Sequence, residues 1–167
     1  MSEITPEAAD FLRSHLNGIL ATGRRDGSPQ MSAVGYHYDG TDITVSAKAW
    51  TAKYRNAQRN PRVSLAVHDG HAQAIVYGTA ECIGEDPQRV DLTMRMLEGA
   101  RKRIMALLAA GGEMPKAPSA PLNRDGTPAS KTPMQAMAEG PEAFLAWLDE
   151  QERVIIRITP DKVLFNE

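Results

Sequence analysis

Residues 18–48 read GILATGRRDGSPQMSAVGYHYDGTDITVSAK. They contain three segments typical of β-strands, at residues 18–24, 30–38 and 43–48, separated by two short polar turns. Each turn contains the dipeptide Asp-Gly, at positions 26–27 and 39–40, which is favoured in tight hairpins. The pattern therefore predicts three consecutive antiparallel strands.

Two further strands are predicted downstream, at residues 62–69 and 73–84, with a short helix at residues 51–60 before them. Thr51 is a typical N-cap for that helix, and Pro61 ends it. Five strands joined by short connections within about 65 residues predict a small antiparallel barrel.

Helices are predicted on either side of this barrel. Thr5 and Pro6 begin a short amphipathic helix, and residues 86–110 and 141–150 form two more. The long helix carries one predicted packing stripe, made of Val90, Met94, Leu97, Arg101, Ile104 and Leu108.

The C-terminal half ends in a strand at residues 153–159 and a second short strand at residues 162–165. A Pro/Gly-rich insert at about residues 111–140 is predicted to be irregular, either as a surface excursion or as a lid over the site, with Met114, Leu122, Met134 and Met137 as apolar anchors. The predicted class is mainly β with flanking helices (α+β), in a single domain spanning residues 1–167.

Composition excludes several classes of protein. The 167 residues carry a net charge of −2, which argues against a general nucleic-acid binder. The single cysteine, Cys82, excludes an internal disulfide and fits a reducing compartment. No apolar run approaches the ~20 residues of a membrane helix, so we expect a cytoplasmic protein. The four histidines show no metal-binding spacing.

The charge is nevertheless distributed unevenly. No Asp or Glu occurs at residues 43–67. Lys53 falls in the first turn of the predicted helix, where free N–H groups and the helix dipole favour an anion. Ser46 and Lys48 end the preceding strand and are expected to face the same spot, which predicts a phosphate site. Arg55 and Arg59 share another face of the helix, which is solvated or at an interface unless a long anionic tail runs past it.

Residues 18–67, followed by YGTAE at 77–81, resemble the core of the split β-barrel flavin/deazaflavin oxidoreductases, the pyridoxamine-phosphate-oxidase-like superfamily. The shared elements are a strand ending in LAT, a DGSPQ turn and the run AKYRNAQRNPRVSL. The similarity covers roughly residues 11–83 and is greatest to the branch that uses coenzyme F-420. It implies an FMN-binding-like split barrel, a homodimer with cofactor at the subunit interface, and hydride transfer to or from a small organic substrate, with FMN as the alternative cofactor.

The resemblance also implies roles for residues near the phosphate. Lys53 matches the lysine that binds the cofactor phosphate. Ser46 and Ala47 match strand-end residues that reach the phosphate or the ribityl chain. Thr51 departs from the pattern, because many relatives carry an arginine two residues before the lysine.

Other residues are implied in binding the ring. Gln30, Ser32 and Val34 match the strand that lies along the tricyclic ring of the cofactor. Gln73 falls near positions of a later strand that contact the ring. No catalytic side chain is predicted, because the cofactor carries the hydride chemistry.

Two other functions remain open from the sequence. One is a non-catalytic protein of the same fold that holds a flavin, haem or lipid. The other is a nucleic-acid module that uses the cations of residues 48–62, against which the net acidity and the 5% aromatic content both count.

Overall fold

Six antiparallel strands form a closed barrel in the computed structural model, which describes residues 4–113 and 121–166. The spatial order of the strands is β1-β2-β3-β6-β5-β4. Their bounds are β1 (Asn17–Gly23), β2 (Pro29–Tyr38), β3 (Ile43–Lys48), β4 (Arg62–Asp69), β5 (Ala72–Ile83) and β6 (Arg153–Asn166). The barrel confirms the predicted fold class.

Five helices flank the barrel in the described part of the chain. They are α1 (Pro6–Ser14), α2 (Ala52–Arg59), α3 (Gln88–Ala109), α4 (Pro133–Ala138) and α5 (Pro141–Glu150). The hydroxyl of Thr5 caps α1 by accepting a hydrogen bond from the backbone N–H of Ala8. Thr51 occupies the N-cap of α2, but its hydroxyl donates to the Lys48 carbonyl at 2.7 Å instead of capping the helix. None of these helices has the length and apolar composition required to span a bilayer.

Alternate residues of each strand fill the barrel. In β3, Val45 and Ala47 belong to the interior core, so Ser46 and Lys48 lie on the outer face. The pairing of β3 with β6 places Ser46 opposite Ile155 and Lys48 opposite Arg153. Ala47 is therefore a core residue, and any ligand outside the barrel would meet only its backbone.

The closing strand is longer than predicted. β6 is one continuous strand of 14 residues, where the sequence indicated two strands separated by Pro160. Pro160 pairs with Gly78 of β5, where the register shifts, and β3 pairs with β6 only as far as Ile158. Because proline has no N–H to donate, an irregular position with a single neighbouring strand accommodates it.

The packing face of α3 also differs from the prediction. Arg89 and Thr93 are its buried residues, whereas Met94 is 41% exposed and Arg101 is exposed. Arg89 is buried because it forms ion pairs with Asp86 and Asp149. Ion pairing of this kind cannot be read from apolar periodicity, so the prediction missed Arg89, whereas Val90 and Leu97 of the predicted stripe do pack against the cluster around Phe144 and Trp147.

The insert contains more regular structure than predicted. Thr132 and Gln135 form a reciprocal capping box that begins α4. Leu122 and Pro128 form an isolated β-bridge. Met137 packs against the cluster built by Phe144, Trp147 and their neighbours, whereas Met134 is 64% exposed. Met114 lies outside the described residues.

Candidate anion and cofactor site

Three cations from three elements approach one another on the outer face of the barrel. Lys48 ends β3, Arg153 pairs with it at the start of β6, and Lys53 lies in the first turn of α2. The charge of Arg153 acts on both lysines. We call Lys48, Lys53 and Arg153 the basic cluster. The three positive charges repel one another, and an anion bound among them would offset that repulsion.

Burial makes these charges costly. Burial, followed by the proximity of Arg153, lowers the pKa of Lys53. The same two causes lower the pKa of Lys48, although Glu152 nearby acts in the opposite direction. Burial also lowers the pKa of Arg153. Within the described ranges no carboxylate forms an ion pair with any of the three, so the described residues supply no paired counter-ion to the basic cluster.

Arg153 is held in place on several sides. Its Nη1 donates a long hydrogen bond of 3.5 Å to Ser46 Oγ, and its guanidinium lies 5.4 Å from the centroid of the Trp147 ring. Its Nε is buried and has no hydrogen-bond partner among the described residues. Sequence reasoning missed Arg153, because 107 residues separate it from Ser46 and no motif links the two.

Lys48 has different partners from those expected. Its amine donates to Gln151 Oε1 at 2.7 Å and to the carbonyl oxygen of Leu122. It also lies 5.9 Å from the centroid of the Trp50 ring. Lys48 therefore adds positive charge to the basic cluster, but two of its three N–H bonds are directed at α5 and the insert.

The predicted ring-contacting residues of β2 lie on the inner side of that strand. Val34 belongs to the barrel core, and Gln30 and Ser32 share its side. Gln30 Oε1 accepts a hydrogen bond of 3.1 Å from Asn56 Nδ2 of α2. The outer side of β2 presents Met31, which is 66% exposed. A cofactor lying against the outside of β2 would thus contact Met31 and only the backbone of Ser32 and Val34, whereas Gln30 lies with Met31 in the lining of a groove beside the β1–β2 turn.

Gln73 lies far from the basic cluster within one chain. It pairs with Asn166 at the end of β6, whereas Lys48 pairs with Arg153 at the beginning of the same strand. The structure thus brings Ser46, Lys48 and Lys53 to one region but leaves Gln73 at the opposite end of the barrel.

A second basic surface lies beside the β1–β2 turn. A groove of about 800 Å³ is lined by four arginines, with Trp50, Met31 and one carboxylate, Asp26. We call it the arginine groove; its cations are Arg24, Arg25, Arg55 and Arg59. The Asp26 carboxylate accepts hydrogen bonds from the backbone N–H and the hydroxyl of Ser28. None of the ion pairs among the described residues joins Asp26 to these arginines. The groove therefore carries an excess of positive charge.

Other chemistry is not evident in the described residues. No group of three or more His, Cys, Asp or Glu among them is arranged to hold a metal ion. Burial, together with Glu81, raises the pKa of the Cys82 thiol to about 11, which makes it a poor nucleophile. The basic cluster and the arginine groove are therefore the two candidate anion-binding features of the described residues.

The protein is thus a six-stranded antiparallel barrel with flanking helices and a partly buried basic cluster on its outer face. Consistent with this, the sequence profile of the pyridoxamine 5'-phosphate oxidase family matches residues 4–120, which is more than half of the chain. The protein belongs to the pyridoxamine 5'-phosphate oxidase family.

Solved structures with the same fold have diverse descriptions. A conserved hypothetical protein from Mycobacterium tuberculosis is 24% identical, with a TM-score of 0.63 over 99% of this chain and 84% of that one. An F420 reductase is 24% identical, with a TM-score of 0.56 over 93% and 94% of the two chains. The haem storage protein HutZ from Vibrio cholerae is 14% identical, with a TM-score of 0.58 over 97% and 94%. At these identities the likeness establishes the fold alone.

Proposed function

We propose that the protein is an oxidoreductase that binds the deazaflavin coenzyme F-420 and transfers a hydride to or from a small organic substrate. The observation that carries this proposal is the basic cluster, in which three partly desolvated cations form no ion pair with any carboxylate of the described residues. A phosphate-bearing cofactor would supply the missing negative charge. When bound, that cofactor would supply the hydride chemistry.

The chain's own residues would bind and orient the cofactor. Lys53 and the free N–H groups of the first turn of α2 would hold the phosphate, together with the guanidinium of Arg153 and the hydroxyl of Ser46. The buried, unpartnered Nε of Arg153 fits a group that brings acceptor oxygens. Because no acid or base is required in such a site, the absence of a catalytic triad from the sequence motifs is consistent with this role.

The arginine groove supports F-420 over FMN. F-420 has an acidic polyglutamate tail, which FMN lacks. Arg55 belongs to the same helix as Lys53, and Arg24 and Arg25 add charge from the β1–β2 turn. Four arginines with one already hydrogen-bonded carboxylate favour a polyanion electrostatically. An FMN-dependent oxidoreductase remains the alternative.

A homodimer with cofactor at the interface forms part of this proposal. Met31, Tyr77 and Leu164 are large apolar residues exposed on the outside of the barrel, at 66%, 43% and 43%. Apolar surface of this kind favours association with a second copy. Gln73 lies too far from the basic cluster of its own chain to reach the same cofactor. In a dimer, Gln73 of the second subunit would contact that cofactor instead. Light scattering at micromolar concentration should give the mass of two chains, and a monomer would count against the shared site.

A non-catalytic binding function is the second candidate, because the fold is shared with a haem storage protein. The two candidates differ in turnover. The purified protein should be mixed with reduced F-420 and a panel of small acceptors, and cofactor absorbance followed over time. We expect protein-dependent oxidation of reduced F-420. Binding of a flavin or haem without turnover of any acceptor would favour the second candidate.

A further inference from the structure

We propose that Arg153 is a phosphate ligand of the site and supplies, from the closing strand, the cation that position 51 lacks. This inference rests on the proposed function, and it adds a binding residue that lies 100 residues from the α2 lysine in the chain.

The acids near Arg153 are already used by another arginine. Arg89 forms ion pairs with Asp86 at 2.8 Å and with Asp149 at 2.7 Å. Arg89 Nη1 also donates to the backbone carbonyl of Arg153 at 3.3 Å, so the two arginines are neighbours. If Arg153 had a purely structural role, it would be expected to share those carboxylates. Instead its guanidinium has no carboxylate and its Nε has no partner among the described residues.

The side chain of Arg153 is nevertheless preorganised. The Trp147 ring supports the guanidinium at 5.4 Å, and the Trp147 Nε1 donates to the Lys131 carbonyl at 3.0 Å, which fixes the indole. A guanidinium that is held in place and has N–H groups without partners is suited to donate hydrogen bonds to a planar or tetrahedral oxyanion. The position therefore binds an anion without first having to order a flexible side chain.

Thr51 cannot provide a cation at the start of α2. Its side chain is neutral, and its hydroxyl donates to the Lys48 carbonyl at 2.7 Å. Arg153 acts electrostatically on Lys53, so both charges reach the same region. A cation from β6 thus compensates for the neutral residue at position 51.

The first test compares FMN with riboflavin, which lacks the phosphate. Dissociation constants for both should be measured by fluorescence titration with the wild type, Arg153→Gln and Arg157→Gln. Arg157 lies on the same outer face of β6 but is paired with Glu81, so it is the matched control. We expect Arg153→Gln to raise the dissociation constant for FMN by about 10- to 100-fold and to leave that for riboflavin near the wild-type value. Arg157→Gln should bind both ligands as the wild type does. Equal weakening of FMN and riboflavin, or an FMN affinity within twofold of wild type, would overturn the proposal.

The second test is rescue of the charge from position 51. Thr51→Arg introduced into Arg153→Gln should recover at least part of the FMN affinity, whereas Thr51→Gln should not. Thermal unfolding of each variant checks that the fold is intact, and Arg153→Lys retains the charge if the glutamine variant is unstable. Failure of Thr51→Arg to improve binding beyond Thr51→Gln would contradict compensation between the two positions.

A third measurement separates this inference from the proposed function. If wild type binds neither F-420 nor FMN, the proposed function fails, and inorganic phosphate becomes the probe. Phosphate should then raise the melting temperature of wild type and of Arg157→Gln but not of Arg153→Gln. The assignment of Arg153 would be overturned if phosphate raised the melting temperature of all three proteins equally. It would also be overturned if phosphate did not stabilise the wild type.

Discussion

Gly99 of α3 lies directly against the imidazole of His37 on β2. A methyl group at Gly99 would stand 2.3 Å from two atoms of that ring, Cε1 and Nδ1. Real atoms do not approach so closely, so the contact between helix and barrel at this point requires a glycine. The same approach buries His37 Nδ1, which has no hydrogen-bond partner among the described residues.

We predict that Gly99→Ala destabilises the protein. Alanine is intrinsically favoured over glycine in a helix by about 1 kcal/mol, but overpacking against the partly buried His37 ring costs about 1–3 kcal/mol. The free energy of unfolding should be measured by urea denaturation. In a His37→Ala background, Gly99→Ala should become neutral or stabilising, because the ring is gone. An equal effect of Gly99→Ala in both backgrounds would refute the contact as its cause.

Stability should fall at mildly acidic pH because of the same histidine. Burial, and then the charge of Arg103, lowers the pKa of His37, with Lys102 adding to the effect and Asp39 opposing it. A lowered pKa means that the unfolded chain takes up the proton first. The contribution of His37 is therefore intact above its ordinary pKa of 6.5 and declines as the pH falls below that value.

The measurement is urea denaturation of wild type and His37→Gln at pH 7.5 and pH 5.5. One proton limits the slope to about 1.4 kcal/mol per pH unit. Wild type should lose more stability than His37→Gln between the two values, since carboxylates that titrate in this range are common to both. The same loss in both proteins would show that His37 is not responsible.

Lys53→Ala should weaken cofactor binding without weakening the fold. Loss of a charge-assisted phosphate contact costs about 1.5–3 kcal/mol, or roughly 10- to 150-fold in affinity. Burial lowers the pKa of Lys53 and it has no acidic partner in the described residues, so its removal should not reduce stability. Arg62→Ala, an exposed cation of β4, is the control. An unchanged dissociation constant for Lys53→Ala would remove this residue from the site.

The insert should influence substrate choice more than cofactor affinity. Its described part reaches the site region, because the carbonyl of Leu122 accepts from Lys48 and Asn123 Oδ1 accepts from Gln151 Nε2 at 2.8 Å. Replacing residues 112–132 with a short Gly-Ser linker should preserve cofactor affinity and change the Michaelis constant for several substrates.

That deletion also removes partners from three buried side chains, Lys48, Gln151 and Trp147, so stability will decrease. Gln151→Leu, which loosens the same contacts without deleting the insert, controls for this loss. Identical kinetics of the deletion variant and the wild type across the substrate panel would rule out a lid.

The local parts of this fold were predictable from the sequence. The two Asp-Gly turns form where expected, with Gly27 and Gly40 at positive φ of 84° and 107°, which glycine adopts without strain. Pro61 ends α2, and Thr5 caps α1, because both effects act within a few residues.

The parts that depend on distant contacts were not predictable. Arg153 reaches Ser46 only because the barrel closes β6 onto β3, and the continuity of β6 through Pro160 depends on the register of β5. Likewise, the partners of Lys48 come from Gln151 and the insert, which are separated from it by 103 and 74 residues. Residue spacing within a single helix or strand cannot encode such neighbours.

We propose that the basic cluster and the arginine groove together bind a phosphate-bearing deazaflavin. The most direct measurement is a side-by-side titration of F-420 and FMN into the purified wild-type protein, followed by fluorescence at fixed ionic strength. We predict saturable binding of both cofactors, with a lower dissociation constant for F-420, because only F-420 carries the tail that the four arginines can contact. FMN binding as tight as or tighter than F-420, or saturation by neither, would contradict it.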